Sequence, residues 1–165
     1  MKTVKRRRKE NKTDYGKRLK LLKSRKPRVV VRKTNKYVVA QYVVSPGTND
    51  KIEINTTSKE LLNNGWPKES AGSLKSIPAA YLTGLLMGKK IRDKKLESPV
   101  MDFGMIRTVY KNRIFAFLKG MVDSGVDLKH DKKTFPEEER IQGKSLKKDF
   151  SNEFSKIKAN IENGK

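Results

Sequence analysis

No cysteine occurs in the 165 residues, which excludes disulfides, thiolate zinc sites and a thiol nucleophile together. His130 is the only histidine, so a His-rich metal centre is excluded as well. No apolar run approaches the ~20 residues that a bilayer span needs. The N-terminus carries charge without a hydrophobic stretch behind it, which argues against a secretory signal. Acidic side chains are also scarce, 18 against 40 Lys or Arg, leaving a formal net charge of +22. At this length the chain is about one domain, able to bury roughly two-thirds of the surface its unfolded form exposes.

That charge is unevenly placed. Residues 1–36 hold 17 Lys or Arg against Glu10 and Asp14, a net of +15. Charge on that scale repels itself in a compact state and calls for a polyanionic partner. With no membrane element in view, the expected partner is nucleic acid and the expected compartment the cytosol. The leader "MKTVKRRRKENK" (1–12) has little to bury and reads as a flexible basic arm or an import patch. After it, Thr13 and Asp14 are suited to cap a helix over "YGKRLKLLKSRK". Tyr15, Leu19 and Leu22 fall on one face of that helix, and Pro27 stops it. The recurring leucines predict a segment anchored to the domain.

Val29–Val31, Tyr37–Val44 and "KIEINTT" are β-branched or aromatic runs separated by turn residues. They predict a three-strand antiparallel meander. "SKELLNNGWP" predicts a helical turn stopped at Gly65. Two apolar helices follow, over 79–96 and 113–125, with a short strand at 98–105 between them and another at "VDL" (126–128). That order implies an α/β sheet with crossover helices. Gly84 and Gly88 predict close packing of the first apolar helix on the sheet. In the tail, Leu146, Phe150, Phe154, Ile157 and Ile161 form one apolar stripe, which needs a surface on this domain or a neighbour.

Chemistry for catalysis is missing from the pattern. "GLLMGKK" (84–90) has too few residues between its glycines for a phosphate loop, and no Ser or Thr follows the lysine. A mixed sheet with this opening brings two-metal nucleases to mind, but such sites need several converging carboxylates. The first strand has none, and Asp102 and Glu53 stand alone on later strands. The cations, by contrast, come in three settings: an arm (Lys5–Lys12), a helix (Lys17–Lys23), and a strand with its turn (Arg28, Arg32, Lys33, Lys36). Such residues bind phosphate oxygens with release of counterions. Tyr15 and Tyr37 lie among them as candidates for stacking on unpaired bases, or as boundary residues of the core.

"TDYGKRLKLLKSRKPRVVVRKTNKYVVAQ" closely resembles the opening of the archaeal-type ribosomal protein L-eighteen family. This is the universal large-subunit family that binds 5S rRNA; its eukaryotic counterpart is ribosomal protein L-five. The resemblance continues through "NNGWP", "IPAAYLTGLLMGKKI", "VMDFGM", "RIFAFLKGMVDSGVDLKH" and "FPEEERIQG", covering roughly residues 5–143. It implies a three-layer α/β domain with a ribonuclease-H-like mixed sheet and no nuclease activity. In that scheme residues 1–12 form a basic RNA-binding arm, 13–143 the 5S rRNA-binding domain, and 144–165 a C-terminal helical extension.

The resemblance further implies partners: 5S rRNA, 23S-type rRNA and neighbouring proteins of the central protuberance, with no cofactor, metal or small-molecule substrate. The implied RNA-facing residues are Arg6, Arg7, Arg8, Lys9 and Lys12 of the arm, Thr13 at the start of the helix, and Tyr15, Arg18, Lys20 and Lys23 of the helix. Arg28, Arg32, Lys33, Asn35 and Lys36 follow on the strand and turn, and Arg107, Lys111 and Arg113 form a secondary loop set. Two other readings compete with it: a general nucleic-acid binder without 5S selectivity, and a ribonuclease-H-like nuclease.

Overall fold

The computed structural model describes residues 3–47, 49–144, 146 and 149–163. Of the turn residues between the second and third expected strands, Thr48 lies outside the described residues. A single helical turn, α1 (Arg6–Lys9), precedes α2 (Tyr15–Lys23). Asp14 caps α2 by accepting the Lys17 amide at 3.1 Å, satisfying one of the donors a helix start leaves open. Arg25, at φ 55°, turns the chain out of the helix before Pro27.

Strands β1 (Arg28–Lys33), β2 (Val38–Val44) and β3 (Lys51–Thr57) pair antiparallel in sequence order. Helix α3 (Ile77–Asp93) then crosses back so that β4 (Val100–Asp102) joins β1 in parallel, giving the sheet order β3-β2-β1-β4. Side chains alternate across the sheet, so register decides which face each residue takes. Val29 lies opposite Tyr42 and Val31 opposite Ala40 on the buried face, with Ile54 and Thr56 of β3 beside them. The other face carries Arg28, Val30, Arg32 and Asp102, and there α2 supplies part of the cover.

α3 lies against β2 and β3 and also against α4 (Arg113–Asp123), its most extensive neighbour. The glycines of "GLLMG" serve that helix pair, and the sheet is not their partner as expected. A methyl at Gly84 would overlap the Phe117 carbonyl, one at Gly88 the Ser124 side chain, and one at Gly120 the Tyr81 carbonyl. The two backbones therefore meet without intervening side chains.

No strand forms at 126–128, although Val126 and Leu128 are buried. α5 (Glu138–Gln142) follows, and α6 (Ser151–Asn163) closes the fold. The tail's stripe finds its surface on this chain: Phe150, Phe154, Ile157 and Ile161 belong to the same buried core as the sheet. Phe150 packs on Trp66 with ring centroids 4.6 Å apart, and Phe154 on Tyr81 at 5.6 Å. Lys89 donates to the carbonyls of Ile161 and Glu162 at 2.7 and 2.9 Å, placing a cation where the last helical turn has unpaired acceptors. Leu146 precedes the helix and is exposed.

Candidate nucleic-acid interface

The arm and α2 meet the end of β1 in a small groove lined by Arg7, Lys12, Thr13, Lys17, Arg18 and Arg32, with Asp102 and Gly104 at its base. Two contacts hold the segment to the domain and a third braces it internally. Lys17 donates to the Gly104 carbonyl at 3.3 Å. Arg18 pairs with Asp50 at 2.8 Å. Arg7 donates to the Thr13 hydroxyl at 3.0 Å. Within the arm, Glu10 accepts from both Lys12 and Arg6 at 2.8 Å. Those hydrogen bonds, Lys12's first, hold its carboxyl below the usual range.

The arginines of β1 divide by position. Arg28 was expected to face RNA, but only 2% of it is accessible, so it cannot touch RNA directly. Its guanidinium lies between Asp50 at 2.9 Å and Asp102 at 3.7 Å and also donates to Ser45 at 3.0 Å. Burying a charge is unfavourable unless it is paired and hydrogen-bonded, and here both conditions are met. Burial opposes ionisation of Asp50, but hydrogen bonds from Ser45 and Arg18 and the charge of Arg28 outweigh it, so its carboxyl titrates below its ordinary value. Asp102 also pairs with Arg32 at 3.5 Å and accepts the Gly104 amide at 2.7 Å. The strand carboxylate considered for metal chemistry is thus engaged by arginines. Among the described residues no group of three or more His, Asp or Glu is placed to hold a metal ion.

Arg32 remains partly exposed, its guanidinium held at one edge by donating to the Val31 and Asp102 carbonyls at 2.8 and 2.9 Å. Lys33, Asn35 and Lys36 stand exposed at the β1–β2 turn, where the Thr34 hydroxyl accepts the Tyr37 amide at 2.8 Å. Tyr37 itself is half-buried against the core, the boundary role of the two expected for it. Tyr15 is half-buried too, with the Lys5 ammonium 4.6 Å above its ring. Arg6, Arg8, Lys9, Lys20 and Lys23 are exposed.

Leu19, expected to pack with Tyr15 and Leu22, is 56% exposed. The docked side of α2 instead runs through the half-buried Leu21 and Leu22. Arg107, Lys111 and Arg113 belong to a separate cleft on the far side of the β1 terminus, into which Lys33 also projects. Sequence reasoning missed Lys17 as a tether, Asp50 and Asp102 as the anchors of the arginines, and Arg140 and Tyr110 as members of that second cleft. The one available signal was the tyrosine amid cations in "IRTVYKNR".

The chain is similar to known proteins over most of its length. The family model described as ribosomal large subunit proteins 60S L5 and 50S L18 matches residues 1–99, which hold the arm, α2, β1–β3 and α3. The large ribosomal subunit protein uL18 of Korarchaeum cryptofilum (strain OPF8) is 43% identical over 141 residues, 86% of this chain and 70% of that protein. The protein of the same name from Methanothrix thermoacetophila is 42% identical over 142 residues, 86% of this chain and 82% of its own length. The chain belongs to the family of ribosomal large-subunit proteins 60S L5 and 50S L18.

Proposed function

We propose that the chain binds 5S rRNA through its arm, α2 and the end of β1, and helps to seat that RNA in the central protuberance beside 23S-type rRNA and neighbouring proteins. As a member of its family it is a structural constituent of the large subunit of the cytoplasmic ribosome and not an enzyme. The observation that carries the RNA-binding reading is the convergence of Arg7, Lys12, Lys17, Arg18 and Arg32 on one groove, flanked by exposed cations of the arm and turn. Such cations contact phosphates and fix the register of a nucleic-acid partner, and the tethers to Asp50 and Gly104 hold α2 in place before any partner arrives.

The sheet order with a parallel β4 and crossover α3 supports a three-layer, ribonuclease-H-like reading of the fold. In that reading residues 1–12 are the arm, 13–143 the binding domain and 144–165 a C-terminal extension, whose helix α6 packs on the core.

The test is binding to folded 5S rRNA and to a length-matched duplex across a salt series. Charge alone gives steep salt dependence for both, so the deciding quantity is preference at physiological salt. A preference for 5S rRNA that disappears when Arg6, Arg7, Arg8 and Lys9 are replaced by alanine supports the proposal. Equal affinity for both RNAs would reduce the arm to an electrostatic anchor.

A further inference from the structure

The loop between β4 and α4 builds a cleft of about 730 Å³ that the arm does not reach. Its cations are Lys33, Arg107, Lys111, Arg113 and Arg140, and among the described residues no carboxylate lines it. Its apolar surface comes from Ile77, Pro78, Ile106, Val109, Ile114 and Leu146. Tyr110 stands at the rim, 67% exposed, and is braced edge-on against Phe115 with centroids 6.2 Å apart at 85°. Met105, Val109 and Leu146 are likewise exposed, so the apolar surface continues outside the cleft.

The loop is held in shape. Lys111 adopts a left-handed φ of 58°, its amide donates to Thr134 at 2.9 Å, and its ammonium pairs with Glu137 at 2.7 Å. Asn112 then caps α4 by accepting from Ile114 and Phe115. A non-glycine residue in that conformation persists only where its surroundings fix it. Lys111 is therefore an anchor of the loop, while Lys33, Arg107, Arg113 and Arg140 make no ion pair among the described residues.

We infer that this cleft receives an unpaired nucleotide of single-stranded RNA, its base on the Tyr110 ring and apolar wall and its phosphates on Arg107, Arg113 and Lys33. The inference rests on the RNA-binding reading above and extends it to a second, chemically different site. Two observations favour this occupant. The described lining of the cleft is cationic without an acidic counterpart. The cleft also adjoins the arm groove, because consecutive residues Arg32 and Lys33 point into the two sites from one strand end. Aromatic rings with flanking cations are the usual platform for splayed bases, whose faces a duplex hides.

The experiment uses the full chain and a six-nucleotide oligoadenylate carrying one 2-aminopurine, whose fluorescence is quenched on stacking. Folded 5S rRNA is measured in parallel. Wild type is expected to quench the probe; Tyr110→Phe retains the quenching, and Tyr110→Ala weakens binding roughly 5- to 150-fold. Joint Arg107→Ala and Arg113→Ala substitution lowers the salt slope for the oligonucleotide by about 1.4. Tyr110 is exposed, so the melting temperature of each variant serves as its folding control. Oligonucleotide binding indifferent to Tyr110→Ala, with 5S rRNA binding intact, overturns the cleft proposal alone and leaves the cleft to a protein partner. Loss of 5S preference in the wild type overturns the arm reading instead.

Discussion

Asp50→Asn tests the claim that the β2–β3 turn positions the basic helix. The substitution keeps the shape but removes the charge that faces Arg18 at 2.8 Å and Arg28 at 2.9 Å. A hydrogen bond to a charged group contributes about 1.5–3 kcal/mol. The Arg18 side chain is 44% exposed, so its pair is discounted to the surface value of about 0–1 kcal/mol. The Arg28 pair is sheltered but not abolished, since Asp102 and Ser45 still face the guanidinium. The expected loss is therefore about 1–3 kcal/mol, which for a 165-residue chain lowers the melting temperature by roughly 2–12 °C.

The pH dependence gives a second, independent arm. The folded state holds the Asp50 carboxyl below its unfolded value of about 3.9, so its contribution is complete above about pH 4 and lost as pH falls through the folded value. Asparagine imitates the protonated acid, so the gap between variant and wild type should be full at about pH 7 and narrow towards about pH 3. Circular-dichroism melts at both pH values measure it. A variant that melts with wild type at neutral pH, or a gap undiminished in acid, would refute the reasoning.

Gly84→Ala forces a methyl into the Phe117 carbonyl and should destabilise by roughly 1–3 kcal/mol, seen in urea titration, while RNA affinity of the folded fraction stays unchanged. Lys89→Met removes the cation that caps α6. It should cost roughly 0.3–1 kcal/mol, and hydrogen exchange should show faster exchange in α6, with β1 and β2 keeping their protection.

Strands and long helices were legible because their signals are local: β-branched runs between turn residues, and apolar helical runs, the first ended by a basic turn and the second by Gly125. The apolar stripe of α6 was legible too, but its partner was not, since Trp66, Tyr81 and Lys89 lie some 70–85 residues away in sequence. The same distance problem blurred the binding site. Arg28 and Arg32 look alike in "RVVVRK", and only the packing of Asp50 and Asp102 on the alternate face shows that one is internal and the other held at the surface with part of its guanidinium exposed. In α2 the leucine spacing favoured Leu19, whereas tethers from Lys17 to Gly104 and Arg18 to Asp50 rotate the helix so that Leu21 and Leu22 dock. Helical periodicity shows that a face exists, but the tethers choose which one.

The cations of residues 1–36 thus fall into two kinds that separate experiments should resolve. Arg28 is paired internally and answers to the fold. Lys20 and Lys23 are exposed, make no ion pair among the described residues and answer to the partner. Replacing both lysines with alanine should lower the magnitude of the salt slope of 5S rRNA binding by roughly 1.4–1.8, at about 0.7–0.9 for each phosphate left unneutralised. The melting temperature should stay within about a degree or two, as for ordinary surface positions. Arg28→Met should do the reverse. It leaves Asp102 without its nearest buried countercharge and costs about 3–5 kcal/mol, less whatever the exposed side of Asp50 recovers from water. The salt slope of the protein that remains folded should not change. If Arg28→Met lowered the slope as the lysine pair does while leaving the melting temperature alone, the guanidinium would have to reach phosphate, and the buried position assigned to it would be wrong.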